Sequence, residues 1–147
     1  MKTEHIQILL AVALVAMMLI FMSSQTSNKV LYVTFPLKQT LEKDAVQKLI
    51  QSIVAYGYQL EPQADNSAKN CITITKDITN SVCLSKNAIR IETTFKEGQI
   101  EDQGGGNFQP SDDESAVKFN HMNMVRSILL GAFLQNGIQH HAPEYSW

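Results

Sequence analysis

Apolar and polar residues follow three successive patterns along this chain. The first is an unbroken apolar run at 6–22, IQILLAVALVAMMLIFM, in which Gln7 is the only polar residue. A helix of that length spans roughly 25 Å, the short end of what a hydrocarbon core requires, and Ser23 and Ser24 extend it into the interface. The run has no polar face, which argues against a helix lying on the surface of a globular core. A cleaved secretory signal has a shorter apolar region and a small-residue exit site, whereas Phe21 and Met22 stand at this exit. The expectation is a retained single-pass signal-anchor helix at 6–22, behind a short tail at 1–5 and ahead of a polar tether at 23–29.

The second pattern is mixed. Residues 30–35, VLYVTF, are rich in β-branched and aromatic side chains and read as a strand, ended by Pro36. Leu41, Ala45, Leu49 and Ile53 then recur every four residues, flanked by Val46, Ile50 and Val54, which is helical spacing. Gly57 is the natural stop. A short strand at 58–61 follows, closed by Pro62 and a polar turn.

Strict alternation is the third pattern, in CITIT, SVCLS and AIRIETTF. A two-residue loop at Lys86 and Asn87 pairs Ser85 with Ala88, which sets Leu84 opposite Ile89 and Val82 opposite Ile91. A short loop at 76–78 likewise sets Ile72 opposite Val82. All these apolar residues then share one face, as a correct register demands. The prediction is an antiparallel meander with one buried face.

Residues 97–114 read as a loop with six acidic residues, no basic one and a flexible Gly104-Gly105-Gly106 linker. A second helix opens at Ser111, where Ser-Asp-Asp-Glu is a capping-box pattern that also places carboxylates on the positive helix end. Met122, Val125, Leu129 and Phe133 form its apolar face, and Gly137 ends it. Residues 138–147 read as a loop-like C-terminal tail. The whole is an α+β chain: an N-terminal transmembrane helix, then a soluble β-α-β-β-β-β-α domain at 30–137, an antiparallel meander sheet with both helices packed on one face.

Composition adds little. The 147 residues are 44% hydrophobic and 18% charged, with net charge −2. From Val30 onward 10 Lys/Arg face 13 Asp/Glu, so no basic footprint for nucleic acid exists and no nucleic-acid partner is expected. Positive charge is nearly even on the two sides of the apolar run. The short leading tail makes export of the long C-terminal domain the default, with no Asn-x-Ser/Thr sequon to favour a eukaryotic lumen. A bacterial periplasm or the exterior of a virion or envelope fits.

The chemistry-bearing residues are few. In the inferred register Cys71 stands directly opposite Cys83, close enough for a structural disulfide after modest adjustment. The alternatives are two free thiols or a reactive pair, the latter without C-x-x-C spacing. His121 reads as a core-edge residue. The adjacent His140 and His141 converge poorly on one ion, and joining Glu144, Asp112 and Asp113 to them needs a folded-back tail. Capping explains Asp112, Asp113 and Glu114, with Glu114 also one turn from Lys118. No G-x-S-x-G, H-E-x-x-H or phosphate-cradling motif is present, so no catalytic residue, cofactor or metal ligand is expected.

The expected function is therefore non-catalytic: a membrane-anchored binding or assembly subunit of an envelope or virion membrane complex. Its partners would be the lipid bilayer and proteins in the same membrane, met through Glu101 and Asp102 and through Tyr145 and Trp147 in the tail. The alternatives are an accessory protein that regulates a neighbouring single-pass sensor, with a small apolar ligand between sheet and helices, and an enzyme built on the histidine tail.

Overall fold

The computed structural model describes residues 2–23, 27–61 and 70–147. The polar turn after Pro62 and the tether residues 24–26 lie outside the described residues. The chain is mixed α+β: among the described residues three helices accompany an antiparallel sheet of six strands and a separate two-stranded hairpin.

Helix α1 (Lys2–Ser23) precedes the domain. Its side chains are described for 6–18, and all of these are exposed. The expected span 6–22 thus runs past the described side chains, and among the described residues no helix is long and apolar enough to cross a membrane.

The domain begins with β1 (Asn28–Pro36), longer than predicted at both ends. Helix α2 (Lys43–Ala55) starts two residues after Leu41, and Leu49 and Ile53 are its buried residues. The short β2 (Gln59–Glu61) leads into β3 (Cys71–Lys76), β4 (Ile78–Leu84) and β5 (Ala88–Lys96). The inferred register holds throughout: Ile72↔Val82, Val82↔Ile91 and Leu84↔Ile89 are paired. The Ser85 N–H donates to the Ala88 carbonyl at 2.9 Å, closing the loop at Lys86 and Asn87.

Strand β1 does not lie at the edge next to β2. It pairs with β5 along its full length, from Asn28↔Lys96 to Pro36↔Ala88, so the sheet order is β2-β3-β4-β5-β1, closed on the far side of β1 by the last strand of the chain. The last strand, β8 (Glu144–Ser146), falls in the expected loop-like tail and pairs antiparallel with Tyr32, Val33 and Thr34. Both helices cover one face. There Leu31, Val33, Phe35, Ile74, Val82, Ile89, Ile91 and Phe95 meet Leu49, Ile53, Met122, Val125, Leu129 and Phe133, all 2% exposed or less. The opposite face carries the alternate residues, and among the described residues no element covers it.

Two expectations require correction. The glycine triplet is not a flexible linker: β6 (Ile100–Gly104) and β7 (Asn107–Pro110) form a hairpin around it. Gly105 and Gly106 both have positive φ, 64° and 79°, the conformation a two-residue hairpin turn requires and that glycine adopts without steric cost. The sequence signal was Gly-Gly between short strand segments, overridden in the reading by the acidity around it. Secondly, Ser111 does not cap α3 (Asp113–Gln135). Its hydroxyl donates to the Gly98 carbonyl at 2.5 Å and its N–H to that of Gln99, which ties it to the base of the hairpin. Asp112 takes the cap one residue later.

Candidate functional site

The uncovered face of the sheet is where the fold leaves polar side chains in register with one another. Cys71 and Cys83 occupy directly opposed positions on β3 and β4, and their sulfurs are bonded at 2.03 Å. No free cysteine remains. Next to Cys83 on β5 is Arg90, and two residues on is Glu92, so both point to the same side as the disulfide. Arg90 Nη2 donates to Glu92 Oε1 at 2.8 Å, and the guanidinium lies 4.6 Å from the centre of the Tyr32 ring on β1. Arg90 thus makes a charge-assisted hydrogen bond within β5 and reaches β1 through its cation–π contact. A concavity of about 420 Å³ opens beside it, lined by Thr34, Ser85, Lys86 and Arg90 among others.

Sequence reasoning missed this cluster. Alternation places Arg90 and Glu92 on the outer face of β5, but the position of β1 was needed to bring Tyr32 over them. Among the described residues, Cys71, Cys83 and Glu92 are grouped closely enough to share an ion. Two of those three ligands are consumed by the disulfide, so the oxidised protein has no metal centre there.

Of the four residues expected at a partner contact, Tyr145 and Trp147 lie against Phe108 of the hairpin whose other strand carries Glu101 and Asp102. Glu101 and Asp102 are exposed on β6, where Asp102 Oδ1 accepts the Gly104 N–H at 2.8 Å. Phe108, opposite Asp102 in the hairpin, meets Tyr145 at a tilt with centroids 6.2 Å apart and Trp147 edge-on at 5.1 Å. Tyr145 is largely occupied within the fold: its hydroxyl donates to Asn123 Oδ1 at 2.5 Å, and Phe119 and Arg126 flank its ring. Burial pushes its phenol above the ordinary tyrosine range, against a smaller opposing pull from Arg126. Trp147 is 41% exposed, with the Lys29 ammonium 5.3 Å from its ring centre.

The histidines are dispersed. His121 Nδ1 lies 3.4 Å from the Tyr58 hydroxyl, and burial, then the Asp77 charge, raise that phenol's pKa. His140 packs against Phe133 at 5.1 Å, while the His141 N–H donates to the Pro36 carbonyl. Neither His140 nor His141 joins Asp112, Asp113 or Glu144 in a group of ligands among the described residues. Between sheet and helices, the space lined by Leu49, Ile53 and Leu129 is about 10 Å³, no more than one water needs. A small apolar ligand has no room there.

No protein-family model, no curated protein and no solved structure matches this chain.

Proposed function

We propose that this chain is a non-catalytic, single-pass membrane-anchored binding or assembly subunit of an envelope or virion membrane complex, its domain held outside the cytoplasm. The observation that carries the reading is helix α1. Its backbone is helical for 22 residues, of which the apolar run at 6–22 spans roughly 25 Å at 1.5 Å per residue, the short end of what a hydrocarbon core requires. Its described apolar side chains, from Ile6 at 57% to Leu9 at 70% and Met18 at 65%, are exposed all round and pack on nothing in the domain. Apolar surface of that extent requires a nonaqueous neighbour, and a lipid bilayer supplies one on every side. The disulfide supports the oxidising side of such a membrane. Glu101, Asp102 and the exposed edge of Trp147 form the surface we assign to a protein partner.

The test is extraction of the native protein from its membrane, with intact-mass analysis of the product. Retention through an alkaline carbonate wash, release by detergent and a mass that includes 1–22 are expected. A mature chain beginning near Ser24, or release by carbonate alone, overturns the anchor. Crosslinking in intact membranes then reads the partner surface. Glu101→Lys with Asp102→Lys should abolish the crosslinked product without changing the melting temperature, and an unchanged product removes that assignment.

A further inference from the structure

Strands β4 and β5 are paired from Leu84↔Ile89 to Ser81↔Glu92, and there their ladder ends although both strands continue. Strand β4 runs on to Ile78, held from outside by β3 through Thr75↔Thr79 and Lys76↔Ile78. Strand β5 runs on to Lys96, held from its other side by β1 through Leu31↔Thr93 and Val30↔Thr94. The sheet therefore forks. Hydrogen-bonded pairs alternate along an antiparallel ladder, and the bond between Ser85 and Ala88 sets their parity. By that parity Ser81 and Glu92 are a bonded pair, and Thr79 and Thr94 aim their backbone N–H and C=O groups into the fork with no ladder partner.

A half-open concavity of about 370 Å³ lies at the fork, within the size range of small-ligand pockets. Asn80 and Thr93 line it and are 1% and 2% exposed. The Thr93 hydroxyl donates to Asn80 Oδ1 at 2.5 Å, which fixes the amide with its NH₂ as the remaining group. That Nδ2 is buried and has no hydrogen-bond partner among the described residues. Buried donors are almost always satisfied in native proteins, so this one marks a position where an acceptor belongs.

Charge narrows the ligand. Of the charged residues in the lining, Glu92 is paired with Arg90 at 2.8 Å and Lys118 with Glu114 at 3.4 Å, which leaves Asp77 to disfavour an anion. A cation would meet the N–H hydrogens of Asn80. An uncharged group that accepts from Asn80 and also donates to strand carbonyls meets every requirement, and the peptide group is such a group. We infer that the fork between β4 and β5 is a binding site for a short extended peptide segment of a partner, with one of its carbonyl oxygens taken by Asn80 Nδ2 and its backbone paired to Thr79 or Thr94. The site stands on the sheet alone and does not depend on the anchor, so failure of either reading leaves the other intact.

The test is an NMR titration of the ¹⁵N-labelled full chain in detergent micelles. The probe is N-acetyl-alanyl-alanine N-methylamide, with sodium acetate and methylammonium chloride as charged controls. Saturable shifts of the Asn80 side-chain NH₂ pair and of the Thr79 and Thr94 amides are expected, with a dissociation constant of about 1 mM or tighter. The controls should leave those signals in place. Asn80→Asp keeps the oxygen that Thr93 uses and replaces the donor, so a folded variant should bind the probe at least about tenfold more weakly. The wild-type titration decides the matter even if that variant does not fold. Asn80 signals that stay unmoved at saturating probe, or that move equally with acetate, overturn the inference.

Discussion

Asp112 and Ser115 cap α3 reciprocally: Asp112 Oδ1 accepts the Ser115 N–H at 2.6 Å, and Ser115 Oγ accepts the Asp112 N–H at 3.1 Å. The Ser115 N–H bond, then the Ser115 side chain, holds the Asp112 carboxyl below its ordinary pKa. A depressed folded pKa means that the contribution is present above the unfolded value and is lost as pH falls through the folded one. Asp112→Asn, which keeps an acceptor without the charge, should therefore melt below the wild type at neutral pH and converge with it in acid. Asp112→Ala should melt lower still. Thermal melts across the acid range check this, and a difference that grows towards low pH would contradict it.

Leu129 is fully buried and lines the narrow space beneath α2. Leu129→Ala should destabilise the domain by about 2–5 kcal/mol, through lost burial and a cavity that the sheet cannot collapse to fill. Ser111→Ala should cost less, because that hydroxyl is exposed and serves the hairpin base rather than the helix end. Denaturant unfolding of both variants gives the order directly.

The disulfide joins residues 12 apart in sequence. Closing a loop of that size stabilises by about 3 kcal/mol in the chain-entropy account. Thiol counting on unreduced protein should find none free, and Cys71→Ser with Cys83→Ser should lower the melting temperature while leaving partner capture intact. Two readily alkylated thiols would place the domain in a reducing compartment.

Phe108 holds both aromatic residues of the final strand region, and Trp147 is the sole tryptophan. Phe108→Ala should shift Trp147 emission to longer wavelength and remove about 0.5–1.5 kcal/mol per aromatic pair. An unchanged spectrum would mean that the β8 edge is not packed on the hairpin.

Tyr58 and Tyr145 both have raised phenol pKa values, so they should ionise above the ordinary tyrosine range in an alkaline absorbance titration. The folded state keeps these protons longer than the unfolded chain. Stability must therefore fall as pH rises through the unfolded tyrosine range. Tyr58→Phe with Tyr145→Phe should flatten that alkaline decline.

Alternation made the meander legible because a one-residue slip would have turned Val82, Leu84, Ile89 and Ile91 outward together, so only one register was consistent. The disulfide followed from that register. Periodicity likewise located α2 and the buried stripe of α3. Strand β1 was recognised, but its neighbours were not: nothing local in VLYVTF records that it slots between β5 and a three-residue strand more than a hundred positions later. The same gap hid the contact between Tyr32 and Arg90, and with it the cluster on the open face. The cap shifted by one because Ser111 and Asp112 are both good capping residues, and the hairpin claims the first. The fork between β4 and β5 was invisible for a different reason, since pairing that stops early leaves no mark on alternation.

The position of β1 has a consequence for the order of events during synthesis. It is the first strand of the domain to leave the ribosome, yet Val33 must wait roughly sixty residues for Ile91 and more than a hundred for Tyr145. At about 5–20 residues per second, that is a delay of several seconds, during which the neighbouring segments 71–96 can zip into a hairpin array by themselves. For that interval Leu31, Val33 and Phe35 form an apolar strand with two open edges, the kind of segment that invites pairing with a second nascent copy. Nascent chains crowded close together would be most exposed to that mispairing, and a chaperone that shields extended apolar strands would act on this segment first.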